Sequence, residues 1–234
     1  MSMQPEMRTN QTYGIAVQEL VLQQQKVLRN TYLLLALTMV PTVIGAFIGM
    51  STGGIIMQHP FISFFVILAA VIGLQYAIVA NRNSGIGVVL LLGMTFLLGW
   101  WLGPLLTVAL SLKNGPQLVG LAAAGTGTVL FVMAGIATTT RKDFSFMGKF
   151  LFVGMIAVLL AAIANLFLQI PVLGLVVSSV VLVVFSLYLL HDLSRIVTGG
   201  ETNYVLATTG VYISLLNVFT SLLHILMALT GERD

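Results

Sequence analysis

The sequence predicts an all-α integral membrane bundle of seven transmembrane helices. Three observations carry this reading. Only 7% of the 234 residues are charged, against roughly a quarter in an ordinary soluble domain. Apolar residues make up 58% and the mean hydropathy is +1.05, so a soluble fold of this size could not cover its surface. Finally, seven apolar runs follow one another, each near the ~20 residues needed to cross a hydrocarbon layer.

Residues 1–30 are expected to form a cytoplasmic N-terminal tail, and residues 31–234 the membrane domain. The first 14 residues are polar and are expected to be unstructured. Residues 15–29, IAVQELVLQQQKVLR, are of mixed amphipathicity and end in Lys26 and Arg29. They predict a short helix lying on the membrane surface. The polar start does not fit a signal peptide, so the first apolar run is expected to stay as an anchor.

The runs cover about 31–50, 61–80, 86–109, 117–139, 147–169, 171–191 and 205–229. Turn chemistry separates them: Ser51 to Gly54 with Pro60, Asn81 to Gly85, Lys113 to Pro116, Arg141 to Ser145, Gln169 to Pro171 and Thr198 to Asn203. Pro41 predicts a kink in the first helix. Small residues recur at packing spacing as Gly45 and Gly49, as Thr95, Gly99 and Gly103, and as Gly120 and Ala124. Small residues let membrane helices approach closely, because lipid supplies no hydrophobic drive between them. Trp100 and Trp101 fall mid-run, too deep for an interfacial belt, and are expected to pack in the core.

Orientation follows from the basic residues. With seven spans, one side carries Arg8, Lys26, Arg29, Arg82, Arg141, Lys142, Lys149 and Arg195, and the other only Lys113 and Arg233. A cytoplasmic N-terminus and an external C-terminus are predicted.

Several function classes are excluded. There is no cysteine, so disulfides and thiolate chemistry are absent. No basic cluster interleaved with aromatics suggests nucleic acid. HExxH, glycine-rich phosphate loops and Gly-x-Ser-x-Gly are missing. No enzyme activity, cofactor or metal is expected.

The polar residues within the runs concentrate at the end of the chain. Asp192 is the only acid in or near a long apolar run, placed at the cytoplasmic end of the sixth helix. An acid near a helix C-terminus opposes the macrodipole, which calls for a basic partner. Arg195, one turn on, and Arg82, at the cytoplasmic end of the second helix, are the candidates for a latch. In the seventh helix Gly210, Ser214, Asn217, Ser221 and His224 recur at spacings of four, three, four and three, on one face. That face is read as interhelical hydrogen bonding or as the lining of an ion or proton path. Asn165 and Gln169 could add to either role.

At KVLRNTY, FLLGWWLGPLL, TTTRKDFSFMGKFL, ANLFLQIP, HDLSRIVTGGETNY and VYISLLNVFTSLL the chain resembles the Bax inhibitor family of seven-helix membrane proteins. The blocks TTRKDFSF and GGETNY resemble most closely the bacterial subgroup that modulates the membrane-bound ATP-dependent protease FtsH. The resemblance implies a multi-pass protein of the bacterial inner membrane. It implies two activities. One is to serve as a substrate of FtsH that interferes with attack on other membrane proteins. The other is a pH-sensitive leak of calcium or protons through an aspartate in each of the last two helices. Asp192 matches the first aspartate. At the second, in a Tyr-x-Asp pattern, this chain has Tyr212, Ile213 and Ser214. Two carboxylates sharing a proton would titrate as a pair near neutrality. The serine removes that pair, and the resemblance therefore favours FtsH modulation over conduction.

Overall fold

The structure, a computed structural model, describes residues 4–140 and 142–231. Eight helices follow in order: α1 Gln4–Thr52, α2 Gly54–Gln58, α3 Pro60–Ala80, α4 Gly85–Leu110, α5 Gly115–Thr140, α6 Met147–Leu168, α7 Pro171–Thr198 and α8 Tyr204–Thr230. All but the short α2 are long and apolar enough to cross a membrane. The expected seven-span bundle is therefore present, with no strand among the described residues.

Two boundaries differ from expectation. The first concerns α1, a single helix of 49 residues. At 1.5 Å per residue it is about 74 Å long, more than twice the ~30 Å hydrocarbon layer. Residues 4–14, expected to be unstructured, and residues 15–29, expected as a separate surface helix, are one continuous rod with the first span. Residues 1–3 lie outside the described residues. The reason is local: no glycine or proline occurs between Ile15 and Val40, so nothing stops the helix. The helix also runs on through Pro41. Its inward face begins before the apolar run does, with Val27, Thr31, Leu34 and Thr38 all buried.

The second concerns α7, which continues to Thr198. Asp192 is thus six residues short of the helix end, not at it. Leu193, Ser194 and Ile196 are buried, so packing carries the helix past the apolar run. Gly199, with φ +82°, then ends it in the left-handed conformation that suits glycine.

Packing centres on two pairs, α1 with α4 and α7 with α8. In the first pair Gly45 and Gly49 lie directly on the backbone of α4, and Gly99 and Gly103 directly on that of α1. A Cβ at any of the four would fall inside the facing backbone. The expectation for Gly120 and Ala124 is not met. Nothing lies within 4 Å of the Cβ position at Gly120, and Ala124 is exposed. The buried side of α5 is instead the one carrying Leu118 and Ala122. Helix α8 touches α1, α3, α4, α5 and α7, which makes it the hub on which the polar residues of the chain's end are mounted.

Candidate functional site

The connection between α7 and α8 is held by its own polar groups. Arg195 donates from Nη2 to the Gly200 carbonyl at 3.3 Å and faces Glu201 Oε2 at 3.5 Å. Glu201 Oε1 accepts from the Asn203 amide at 2.9 Å. Asn203 then caps α8, its Oδ1 accepting from the amides of Val205 at 3.0 Å and Leu206 at 3.1 Å. Such a cap satisfies amides that a helix start leaves free. The same side chain donates to the Arg82 carbonyl at 3.0 Å and to Asn83 Oδ1 at 2.8 Å. The block GGETNY thus reads as a wired turn that also anchors the α3–α4 loop.

The α5–α6 loop is fastened to α7 by Ser194, a fully buried residue. Its hydroxyl donates to the Lys142 carbonyl at 2.8 Å and accepts from the Phe144 amide at 3.2 Å. Next to it, Asp143 Oδ1 accepts from the Ser145 amide at 2.8 Å. Its hydrogen bonds with Ser145 hold the Asp143 carboxyl below its ordinary range, and the charges of His191 and Arg195 act in the same direction. His191 packs its ring on α6, where a Cβ at Gly148 would lie 3.0 Å from Nε2.

Asp192 sits between these two fastenings. Its Oδ1 lies 3.0 Å from His191 Nδ1. Its Oδ2 rests on α8 at Gly210, where a Cβ would come within 2.6 Å. The carboxyl is about one-fifth exposed and faces a cavity of about 240 Å³ lined also by Gln75, Arg195, Glu201 and Thr209.

The predicted latch is therefore arranged differently. Asp192 pairs with His191, its sequence neighbour, and not with Arg82 or Arg195. Arg195 is engaged by Glu201 and shares only the cavity with Asp192. Arg82 is exposed on its loop, and its backbone, not its guanidinium, is what α8 holds. Ser214 is buried one turn beyond Gly210, and Asn217 donates back to the Ile213 carbonyl of its own helix at 2.8 Å. Neither lines the Asp192 cavity.

Interhelical bonding comes instead from a neighbouring face of α8. Tyr212 is fully buried. Its hydroxyl meets Thr42 Oγ1 at 2.8 Å and donates to the Thr95 carbonyl at 3.3 Å, joining α1, α4 and α8. Thr208 donates to the Thr31 carbonyl at 3.3 Å. Asn165 and Gln169 build a turn: Asn165 Oδ1 accepts from the Ile170 amide at 3.1 Å, and Gln169 adopts φ 52° at the end of α6. His191, Gln75 and Glu201 were given no role by sequence reasoning, and Tyr212 entered it only as the neighbour of Ser214. The first stood beside Asp192 in the same block.

Chemically, the centre is a carboxylate against an imidazole, beside an Arg–Glu pair and an amide, on one end of the bundle. It can hold charge or hand on a proton. No group of three or more metal-ligating His, Cys, Asp or Glu side chains occurs among the described residues.

Comparison with known proteins places this geometry in a family. The family described as "Inhibitor of apoptosis-promoting Bax1" matches residues 24–231. A membrane protein of Vibrio cholerae is 42% identical over 208 residues, covering 89% of this chain and 92% of the relative. The "Modulator of FtsH protease YccA" of Escherichia coli is 39% identical over 206 residues, covering 88% and 91%. A protein of Pseudomonas aeruginosa is 38% identical over 206 residues, covering 88% and 90%.

Proposed function

The chain belongs to the Bax inhibitor family of membrane proteins, and from that premise we propose that it modulates an FtsH-type membrane protease in a bacterial inner membrane. The observation that carries this is the 39% identity, over 88% of the chain, to a relative named for that activity. The long α1 rod supports it, because it offers a protease a segment standing clear of the bilayer. We place that rod in the cytoplasm and the C-terminus outside, on the distribution of Lys and Arg.

The test is made in cells that contain FtsH. Raising the level of this chain should lengthen the half-life of a second membrane protein that FtsH degrades, and the two proteins should co-purify in mild detergent. A half-life that does not respond to the amount of this chain sinks the reading.

A second reading, a calcium or proton leak, is favoured by one feature, the cavity that exposes Asp192 beside Gln75 and Thr209. Two features weigh against it. Arg195 lines the same cavity, and the position of a second carboxylate is the buried Ser214. Flux of Ca²⁺ and H⁺ into liposomes of purified protein, wild type beside Asp192→Ala, separates the readings. A leak abolished by the substitution would favour conduction.

A further inference from the structure

Helix α3 is lightly held in the bundle. It docks on α4, touches α8 lightly and buries only Ile67 and Ile78. Between it and the α4–α8 pair lies a cavity of about 200 Å³, and a second of about 420 Å³ lies along the same α4–α8 pair beside Ile56 of α2. They share Leu98, Trp101, Leu216 and Asn217, so they form one cleft with a waist at Trp101. Together they fall in the range of ligand pockets, about 300–1,000 Å³.

The cleft has a direction. One end is wholly apolar, between Val71 and Ile213. The other has Ile56 of α2 in its lining and carries the polar groups Thr220 and His224. From Ile213 to His224 is 11 residues of helix, about 16 Å. That is the depth of one leaflet, half of the ~30 Å hydrocarbon layer. Apart from Ile56, the cleft's lining lies within the membrane-crossing lengths of α3, α4 and α8, where the natural filler of an apolar slot is a hydrocarbon chain and not water. No lysine or arginine lines either cavity, so nothing there would neutralise a phosphodiester. An imidazole and a hydroxyl suit a carboxyl group.

We propose that this cleft binds a single-chain amphiphile, a long-chain fatty acid, with its tail along Leu216 and Trp101 and its carboxyl group at Thr220 and His224. The site is separate from the Asp192 cavity, and the inference does not depend on either functional reading.

The chain has two tryptophans: Trp101 lines the waist, while Trp100 donates to Thr52 on the α1 side, so a Trp100→Phe background leaves an emission that reports on the waist. Purified full-length protein in detergent micelles is titrated with a long-chain fatty acid carrying bromine, which quenches indole. Quenching should saturate at one molecule per chain. Bromine at mid-chain should quench more than bromine beside the carboxyl group. Leu216→Phe, which fills the waist, should raise the half-saturating concentration about tenfold. Gly127→Leu, on an open face of α5, should leave it unchanged. Quenching that climbs without saturation, or equally for both variants, would reduce the cleft to ordinary lipid contact and overturn the proposal. A brominated two-chain phospholipid that saturates as tightly would overturn the choice of ligand. Should Leu216→Phe fail to fold, the bromine-position comparison in the Trp100→Phe background decides alone.

Discussion

Single residues differ sharply in how far their roles could be read in advance. Asp192 stood out as the one acid near an apolar run, and the structure does put it at the α7–α8 seam. Its partner was misassigned because charge arguments look for arginine, whereas a histidine one residue away competes without needing a loop to fold back. Gly210 decides the fit on the other side. Gly210→Ala puts a methyl group against the carboxylate, so Asp192 must turn away; about 1–2 kcal/mol of stability should be lost, read as a lower melting temperature in detergent. Tyr212 was seen only as a neighbour of the substituted position. No periodicity reveals that its hydroxyl reaches two other helices. Tyr212→Phe should cost about 0.6–2 kcal/mol, the range for hydrogen bonds between membrane helices. Thr42→Val should cost a similar amount, and the double variant less than the sum, because both remove the same bond. Additive losses would show that the Thr42–Tyr212 bond contributes nothing. Asp143 carries the pH dependence. Its carboxyl is held below the ordinary range, so its stabilisation of the loop is full above that range and fades as pH falls through the lowered value. Asp143→Asn should lower the melting temperature at neutrality and change little in acid, which flattens the acid limb of the profile.

Elements were the most legible level, since a hydrocarbon solvent forces every backbone group into a helix and marks each span by length. What the sequence withheld was which stripe of small residues faces protein. The motifs at Gly45 and Gly49, at Gly99 and Gly103, and at Gly120 and Ala124 look alike on paper. Only the first two meet, with the Gly45 and Gly49 positions against the backbone of Phe96 and Trp100, and the Gly99 and Gly103 positions against that of Thr42 and Gly49. In α5 the buried side is elsewhere. The difference predicts opposite outcomes for one chemical change. Gly49→Ala or Gly103→Ala forces two backbones apart and should cost about 1–3 kcal/mol. Gly120→Ala meets nothing and should be neutral or slightly stabilising, since alanine is the better helix former. Unfolding in mixed micelles measures both. Equal effects at Gly49 and Gly120 would mean that the α1–α4 contact is not the close one described.

At the scale of the whole molecule, hydropathy marked where the chain enters the membrane but not that α1 continues unbroken beyond it. Charge and polarity suggested a loose tail, while helix propensity, unopposed by any breaker after Gly14, won. The consequence is mechanical. A rod of about 74 Å cannot fit within the bilayer, so its first half must project. Its root is seated on the bundle, with Gln24 packed against Gly199 at the end of α7. A protease that engages the projecting end is therefore joined through continuous helix to the span held by Gly45, Gly49, Thr31 and Thr42. Deleting residues 2–17 removes most of the projection and spares Gln24 and everything downstream. The shortened chain should melt within a degree or two of the full one, yet last several times longer in cells containing FtsH. In cells lacking FtsH the two should have equal lifetimes. An unchanged lifetime beside the protease would place the point of engagement elsewhere on the chain. A lifetime difference that persists without FtsH would assign the degradation to another protease.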